Sequence, residues 1–177
     1  MKYIYKFFAL ALTINLCACQ TQAPIRPEIV PAVEVKHPKT HSLGIIGQTE
    51  PVYILPMKAP FQARIDTGAE TSSMDADNIK TFERDGEKWV SFDITNRENG
   101  EKHHFEERIK RVAEIKRINE HERRPVVEMD IKMGNEIITD VRFTLAKRDK
   151  FEYQALIGRN VLTGRALVDT ALSNTLN

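Results

Sequence analysis

The chain has 177 residues, of which 41% are hydrophobic and 29% charged, and its formal net charge is +1. That length fits one domain with tails, and the composition is that of an ordinary globular protein. So small a net charge gives no electrostatic reason to expect nucleic acid as a partner.

Residues 1–18 read as an export signal. Lys2 and Lys6 precede an apolar run from Phe7 to Leu16, and small residues follow. The run is too short and wrongly flanked for a membrane-spanning helix. Leu16-Cys17-Ala18-Cys19 resembles a bacterial lipobox, which implies cleavage before Cys19 and lipidation of that residue. An ordinary signal peptide with incidental cysteines is the alternative. Cleavage removes two lysines, leaving 24 basic against 25 acidic side chains. Cys17 is lost with the signal and Cys19 carries lipid, so no disulfide is expected. Stable anchoring needs more than one acyl chain. Gln20 after the cysteine resembles lipoproteins sent on to the outer membrane, so the expected location is the periplasm, at the inner leaflet of that membrane.

Residues 19–43 contain Pro24, Pro27, Pro31 and Pro38 without helical periodicity. They read as an extended tether of ~3.1 Å per residue. The domain is expected over 44–177, as a run of short strands. Residues 50–58 are β-rich and bounded by prolines. Phe61, Ala63 and Ile65 alternate inward. Asp85-Gly86 cues a hairpin, followed by alternation of Val90, Phe92 and Ile94 against Trp89, Ser91 and Asp93. The clearest hairpin runs from Val127, Met129 and Ile131 through Gly134-Asn135 back along Ile137 to Leu145. Residues 153–162 suggest an apolar strand broken by Gly158 and then one helical turn, and 166–172 a last short strand. The sequence predicts a mostly β fold of small closed or sandwich sheets.

The stretch from Arg97 to Arg124 is ambiguous. Phe105, Ile109 and Val112 stand at helical spacing, yet the same residues read as a charged hairpin. Its charge marks a solvated face, or a contact for a peptide or nucleic acid. His103, His104 and His121 have neither Cys/His spacing nor an HExxH pattern, so no zinc site is expected. No GxxxxGK[ST] occurs, so ATP binding is not expected either.

Asp66-Thr67-Gly68-Ala69 follows the apolar strand that ends at Ile65. Taken alone, an Asp-Gly pair after a strand is a turn-former. About ninety residues on stands Ala155-Leu156-Ile157-Gly158-Arg159-Asn160. Together the two segments resemble the signature segments of retroviral-type aspartic proteases. Residues 65–73, 122–135 and 144–169, in that order, resemble a bacterial retropepsin-like family once labelled ATP-dependent zinc proteases and often associated with ATP-grasp peptide ligases. The resemblance covers roughly residues 45–172. It implies a retropepsin-like acid-protease barrel with one lobe per chain and catalysis by Asp66. The residues give the family's zinc label no support, so no cofactor or metal is expected. Thr67, Gly68 and Ala69 form the active-site loop, and Glu70, Arg159 and Gly158 support it. The resemblance also implies a largely buried Glu70–Arg159 ion pair.

The chemistry agrees with that set. Peptide hydrolysis by carboxylates needs two of them sharing one proton. Gly68 lets the backbone approach closely, and Ala69 keeps the site narrow. Only one Asp-Thr-Gly is present. Asp169-Thr170-Ala171 lacks the glycine and is the weaker candidate for a second loop. A catalytic chain must therefore work as a homodimer, with Asp66 given by each subunit. No glycine-rich flap is visible, and the charged segment 96–124 stands where a cover is expected. The expected activity is that of a lipid-anchored homodimeric endopeptidase on a peptide or protein substrate, with a functional link to ATP-grasp ligases. The alternatives are a non-catalytic retropepsin-like module binding a peptide or envelope partner, and an unrelated β-domain lipoprotein.

Overall fold

The computed structural model describes residues 40–116 and 121–176. The expected signal peptide, the lipidation site Cys19 and most of the Pro-rich segment lie outside them. Leu43 is already buried, and its N–H donates to the Arg165 carbonyl, so the packed domain begins one residue before the expected boundary.

The elements follow in chain order: β1 (Gly44–Ile46), β2 (Thr49–Ile54), β3 (Phe61–Ile65), β4 (Ser72–Asp75), β5 (Asp77–Arg84), β6 (Glu87–Thr95), β7 (Lys102–Arg108), β8 (Arg111–Lys116), β9 (His121–Met133), β10 (Glu136–Ala146), β11 (Ala155–Ile157), a single helical turn α1 (Arg159–Leu162), and β12 (Ala166–Val168). The strand chemistry is plain where one face is wet. In β3, Phe61, Ala63 and Ile65 are buried while Gln62 and Arg64 are exposed, the period of a half-buried strand. Asp85 and Gly86 both take positive φ, 54° and 76°, as a two-residue hairpin turn of the primed type requires.

Six strands close into a barrel. Neighbours run β10, β4, β11, β3, β2, β9, and β9 pairs back with β10. The β10–β4 and β11–β3 pairings are parallel and the others antiparallel. The interior is packed by Phe61, Phe143, Ile54, Met74, Ile131, Met133, Leu145 and Ile157, all essentially without solvent contact. This is the mostly β, closed, one-lobe architecture expected from the sequence. Among its described residues the ambiguous stretch forms strands and no helix. Its second half forms the charged hairpin of the alternative reading, since β8 pairs antiparallel with the start of β9, whereas β7 pairs outside the stretch with β6.

Two smaller sheets complete the domain. β5, β6 and β7 form a three-stranded arm outside the barrel. A polar hub holds its base. Asp75, at the end of β4, accepts hydrogen bonds from the Arg148 N–H (2.6 Å), the Arg97 guanidinium and the Gln154 amide. Gln154 also donates to the Thr95 carbonyl (2.8 Å) and accepts from the Arg97 N–H (2.8 Å). The second sheet pairs β1 with β12 in parallel. The fully buried Glu50 carboxylate fastens the C-terminal tail there, accepting from Gly47 N–H, Thr175 Oγ1 and Leu176 N–H. Glu50→Ala leaves those donors unpaired and is expected to destabilise the domain by about 3 kcal/mol, read as a lower urea midpoint at unchanged slope.

Candidate active site

The loop from Asp66 to Thr71 joins β3 to β4 across the barrel wall. β3 and β4 both pair with β11, β3 in parallel and β4 antiparallel. The loop therefore arches over the end of β11, where Gly158-Arg159-Asn160 begins. Asp66 N–H donates to the Ile157 carbonyl at 2.9 Å, which ties the aspartate to that strand. Arg159 N–H donates to the Ala69 carbonyl (2.8 Å) and Asn160 N–H to the Glu70 carbonyl (3.2 Å).

Gly158 is where the two segments touch. A Cβ there would stand 2.9 Å from the Ala69 carbonyl oxygen and 3.0 Å from the Thr71 carbonyl carbon, both backbone atoms. No larger residue fits without moving the loop. Ser72 Oγ accepts from Gly158 N–H at 3.0 Å and donates to Asn160 Oδ1 at 2.9 Å. Asn160 Oδ1 also accepts from Ser72 N–H (2.9 Å), and its amide donates to the Arg142 carbonyl (2.9 Å). Asn160 and Ser72 are thus part of the support, although the sequence reading had not assigned them roles. Asn160 stood inside the quoted motif, so the signal was present.

Asp66 is half-buried. Its Oδ1 accepts from Gly68 N–H (2.8 Å) and Ala69 N–H (3.1 Å). Its Oδ2 has no hydrogen-bond partner among the described residues, so one carboxylate oxygen remains open for chemistry. Thr67 and Gly68 are exposed and Ala69 is half-buried, so the loop rises from the barrel towards solvent. A Cβ on Gly68 would come within 3.1 Å of Asp66 Oδ1. That contact is a reason for glycine in the tripeptide beyond its backbone freedom.

The expected Glu70–Arg159 ion pair is not formed. Both residues are exposed, and Arg159 Nη1 donates instead to the carbonyls of Thr67 (3.1 Å) and Gly68 (2.7 Å). The guanidinium still holds the active-site loop, but through backbone acceptors. Those carbonyls point at it, whereas an exposed pair with Glu70 would gain little in water. Asp169, the weaker candidate for a second loop, lies against β1. Its N–H donates to the Ile46 carbonyl, and its side chain caps the Ala171 N–H.

β8 and β9 pair as a ribbon extending from the barrel over this region. Arg111, the first residue of β8, donates from Nη2 to Thr71 Oγ1 at 3.0 Å. Strand alternation puts Arg111, Ala113 and Ile115 on one face, together with their partners Val126, Arg124 and Glu122. Val112, Arg123 and Pro125 belong to the other face, where with Phe82 and Lys88 of the arm they line a groove of about 420 Å³. The ribbon falls within the charged segment where a cover was expected. Among the described residues no cluster of three or more His, Cys, Asp or Glu side chains is placed to hold a metal ion.

The closed barrel, the Asp-Thr-Gly loop and the Gly-Arg-Asn turn beside it define a retropepsin-like aspartic protease domain. Residues 45–176 match the RimB-like family of retropepsin-like aspartic endopeptidases, and the chain belongs to that family. It is similar to probable alpha-L-glutamate ligases. One from Shewanella pealeana is 37% identical over 133 residues, covering 73% of this chain and 29% of the ligase. One from Desulfotalea psychrophila is 37% identical over 120 residues, covering 65% of this chain and 25% of the ligase. The chain thus spans less than a third of the length of these relatives. A crystal structure of a Legionella pneumophila protein of unknown function matches with a TM-score of 0.63 at 30% identity, covering 76% of this chain and 98% of that one.

Arg159→Met removes both carbonyl contacts. It is expected to lower stability by about 1–2 kcal/mol and to speed amide exchange at Gly68 and Ala69. Glu70→Gln and Lys147→Met should leave that exchange unchanged. Equal effects from Glu70→Gln and Arg159→Met would restore the ion pair.

Proposed function

We propose that the chain is an aspartic endopeptidase that works as a homodimer, with the Asp66 loops of two copies meeting across a two-fold axis. The observation carrying this reading is Asp66 itself. It is a half-buried carboxylate in a loop braced from three sides, with one oxygen occupied by its own loop and the other open. In the dimer the two Asp66 carboxylates share one proton, because adjacent like charges do not both ionise. The charged member takes a proton from water as its oxygen attacks the peptide carbonyl carbon. The neutral member gives its proton to the carbonyl oxygen. Collapse of the diol breaks the C–N bond, and the proton passes to the leaving amine.

The second copy has a surface to meet. Ile45 on β1 and Leu167 on β12 are register partners, 59% and 53% exposed. With Leu172 nearby on the tail they form an apolar patch on the sheet of chain ends. Burying such a patch against its own copy supplies the self-complementary contact that a two-fold dimer needs.

The relatives' names supply a substrate class. The same domain accompanies probable alpha-L-glutamate ligases, and a peptidase paired with such an activity would hydrolyse glutamate-containing peptides. The first nineteen residues support export and lipidation at Cys19. An exported chain would meet peptides of the periplasm, so the ligase link concerns chemistry and does not require physical contact.

Asp66→Asn is expected to lower peptide cleavage at least about a thousandfold with an unchanged circular dichroism spectrum. Ile45→Asp/Leu167→Asp should sediment as a monomer and lose cleavage alongside. Undiminished cleavage in Asp66→Asn would end the enzyme reading, and a cleavage-inactive wild type that still binds peptide would favour a non-catalytic module. Radiolabelled palmitate should enter the wild-type chain and not Cys19→Ser. Equal labelling would overturn the lipoprotein reading.

A further inference from the structure

The Asp66 loop and the β8–β9 ribbon are held to different degrees. The loop is braced against β11 and the turn after it by Asp66 N–H, by the main chains of Arg159 and Asn160, and by the Arg159 guanidinium. The ribbon rises from the end of the arm. Ile109 N–H donates to the Lys88 carbonyl, Lys110 N–H donates to the Val126 carbonyl, and the Lys110 ammonium pairs with Glu128 at 2.6 Å. These bonds fix where the ribbon begins. Beyond them its strands pair with each other from Arg111–Val126 to Lys116–His121, and a two-stranded ribbon alone is only marginally stable in water.

Strand alternation gives the ribbon a protected face and an exposed one. Ala113 and Val126 lie on the protected face, 8% and 0% exposed. On the other face Val112, Glu114 and Arg123 are all exposed. Arg111 belongs to the protected face as the register partner of Val126. From there its Nη2 donates across to Thr71 Oγ1 at 3.0 Å. Thr71 ends the Asp66 loop, and its carbonyl carbon would stand 3.0 Å from a Cβ on Gly158. The acceptor is thus part of the rigid side, while the donor sits at the root of the freer one. A hydrogen bond has a preferred direction as well as a preferred length. Placed at the root, it sets the angle of the strands that follow.

We infer that Arg111 is a positioning residue: through Thr71 it fixes the angle of the β8–β9 ribbon across the Asp66 loop, and so sets how tightly a peptide is held between them. A ribbon already held at its working angle spares the peptide the cost of ordering it. The effect falls on affinity and not on the chemistry, because Asp66 keeps its own braces when the Arg111 bond is lost. The inference rests on the reading of this loop as the peptide site, but its test does not depend on turnover.

Two measurements on the full chain test it. The first needs no peptide. Amide exchange in the ribbon is expected to quicken about threefold to tenfold in Arg111→Ala and in Thr71→Val, while Gly68 and Ala69 exchange as in the wild type. Arg111→Lys and Thr71→Ser, which keep a donor and an acceptor, should restore slow exchange. The second is calorimetry with an end-blocked peptide of alternating alanine and glutamate, on chains that also carry Asp66→Asn so that no peptide is consumed. Arg111→Ala and Thr71→Val should each weaken binding about threefold to tenfold. Together they should weaken it no more than either alone, because both remove the same bond. Arg123→Ala, on the exposed face, should change neither quantity. Additive losses from the pair, no rescue by the conservative variants, or ribbon exchange unaltered in Arg111→Ala would overturn the inference. So would peptide binding that is absent or indifferent to Arg111. Faster exchange at Gly68 and Ala69 in Arg111→Ala would overturn it too, by making Arg111 a brace of the loop itself. Cleavage by the wild-type chain, assayed separately, decides the endopeptidase reading. A chain that binds peptide under the pinned ribbon and cleaves nothing keeps this inference and loses that one.

Discussion

The close approach of Gly158 to the backbone of Ala69 and Thr71 is the constraint on which the site depends. Because there is no side chain at 158, two segments ninety residues apart share backbone hydrogen bonds. Arg159 and Asn160 follow immediately and bond the carbonyls of Thr67 and Gly68 and both polar groups of Ser72. Asp66 is then held from below by β11 and from beside by its own loop amides. A methyl group at position 158 would press on main-chain atoms, which cannot rotate away. The position of the carboxylate therefore rests on the absence of a side chain far from it in sequence.

Around this fixed centre the domain separates what must be rigid from what need not be. The barrel closes on itself and leaves no free edge inside the ring. The arm and the β8–β9 ribbon are outgrowths with exposed faces. Val90, Phe92, Ile94 and Phe105 of the arm are buried in the hydrophobic core, and polar contacts also secure both bases. The Asp75 hub does this for the arm, and the Arg111–Thr71 contact for the ribbon. Directional bonds of this kind fix an angle at a base, which apolar burial alone does not.

Much of this was legible in the sequence. The alternation in β3, the turns at Asp85-Gly86 and Gly134-Asn135, and the strand-then-turn at Ile157–Leu162 each have a local cause and appear where they were expected. The stretch from 97 to 124 was legible only in its second half, where the hairpin reading holds for β8 and the start of β9. Its strands pair with different sheets, and which partner a strand takes is a tertiary fact that charge patterning does not encode. The Glu70–Arg159 pair was misread for a related reason. Sequence proximity to the motif suggested a carboxylate partner, but a guanidinium also takes carbonyls, and only the three-dimensional loop shows two of them within reach.

The pairing of β1 with β12 has a consequence for how such a domain is inherited. The first and last strands lie side by side, and Thr175 Oγ1 reaches the Ile45 carbonyl. Chain therefore enters and leaves the domain at nearly the same spot. A unit of that geometry attaches to a larger protein as a bead on a single stalk, without the host having to span it. The appearance of matching segments as a quarter to under a third of much longer ligase chains is what such geometry makes easy. One stable core can travel between proteins of different size and keep its Asp-Thr-Gly loop undisturbed.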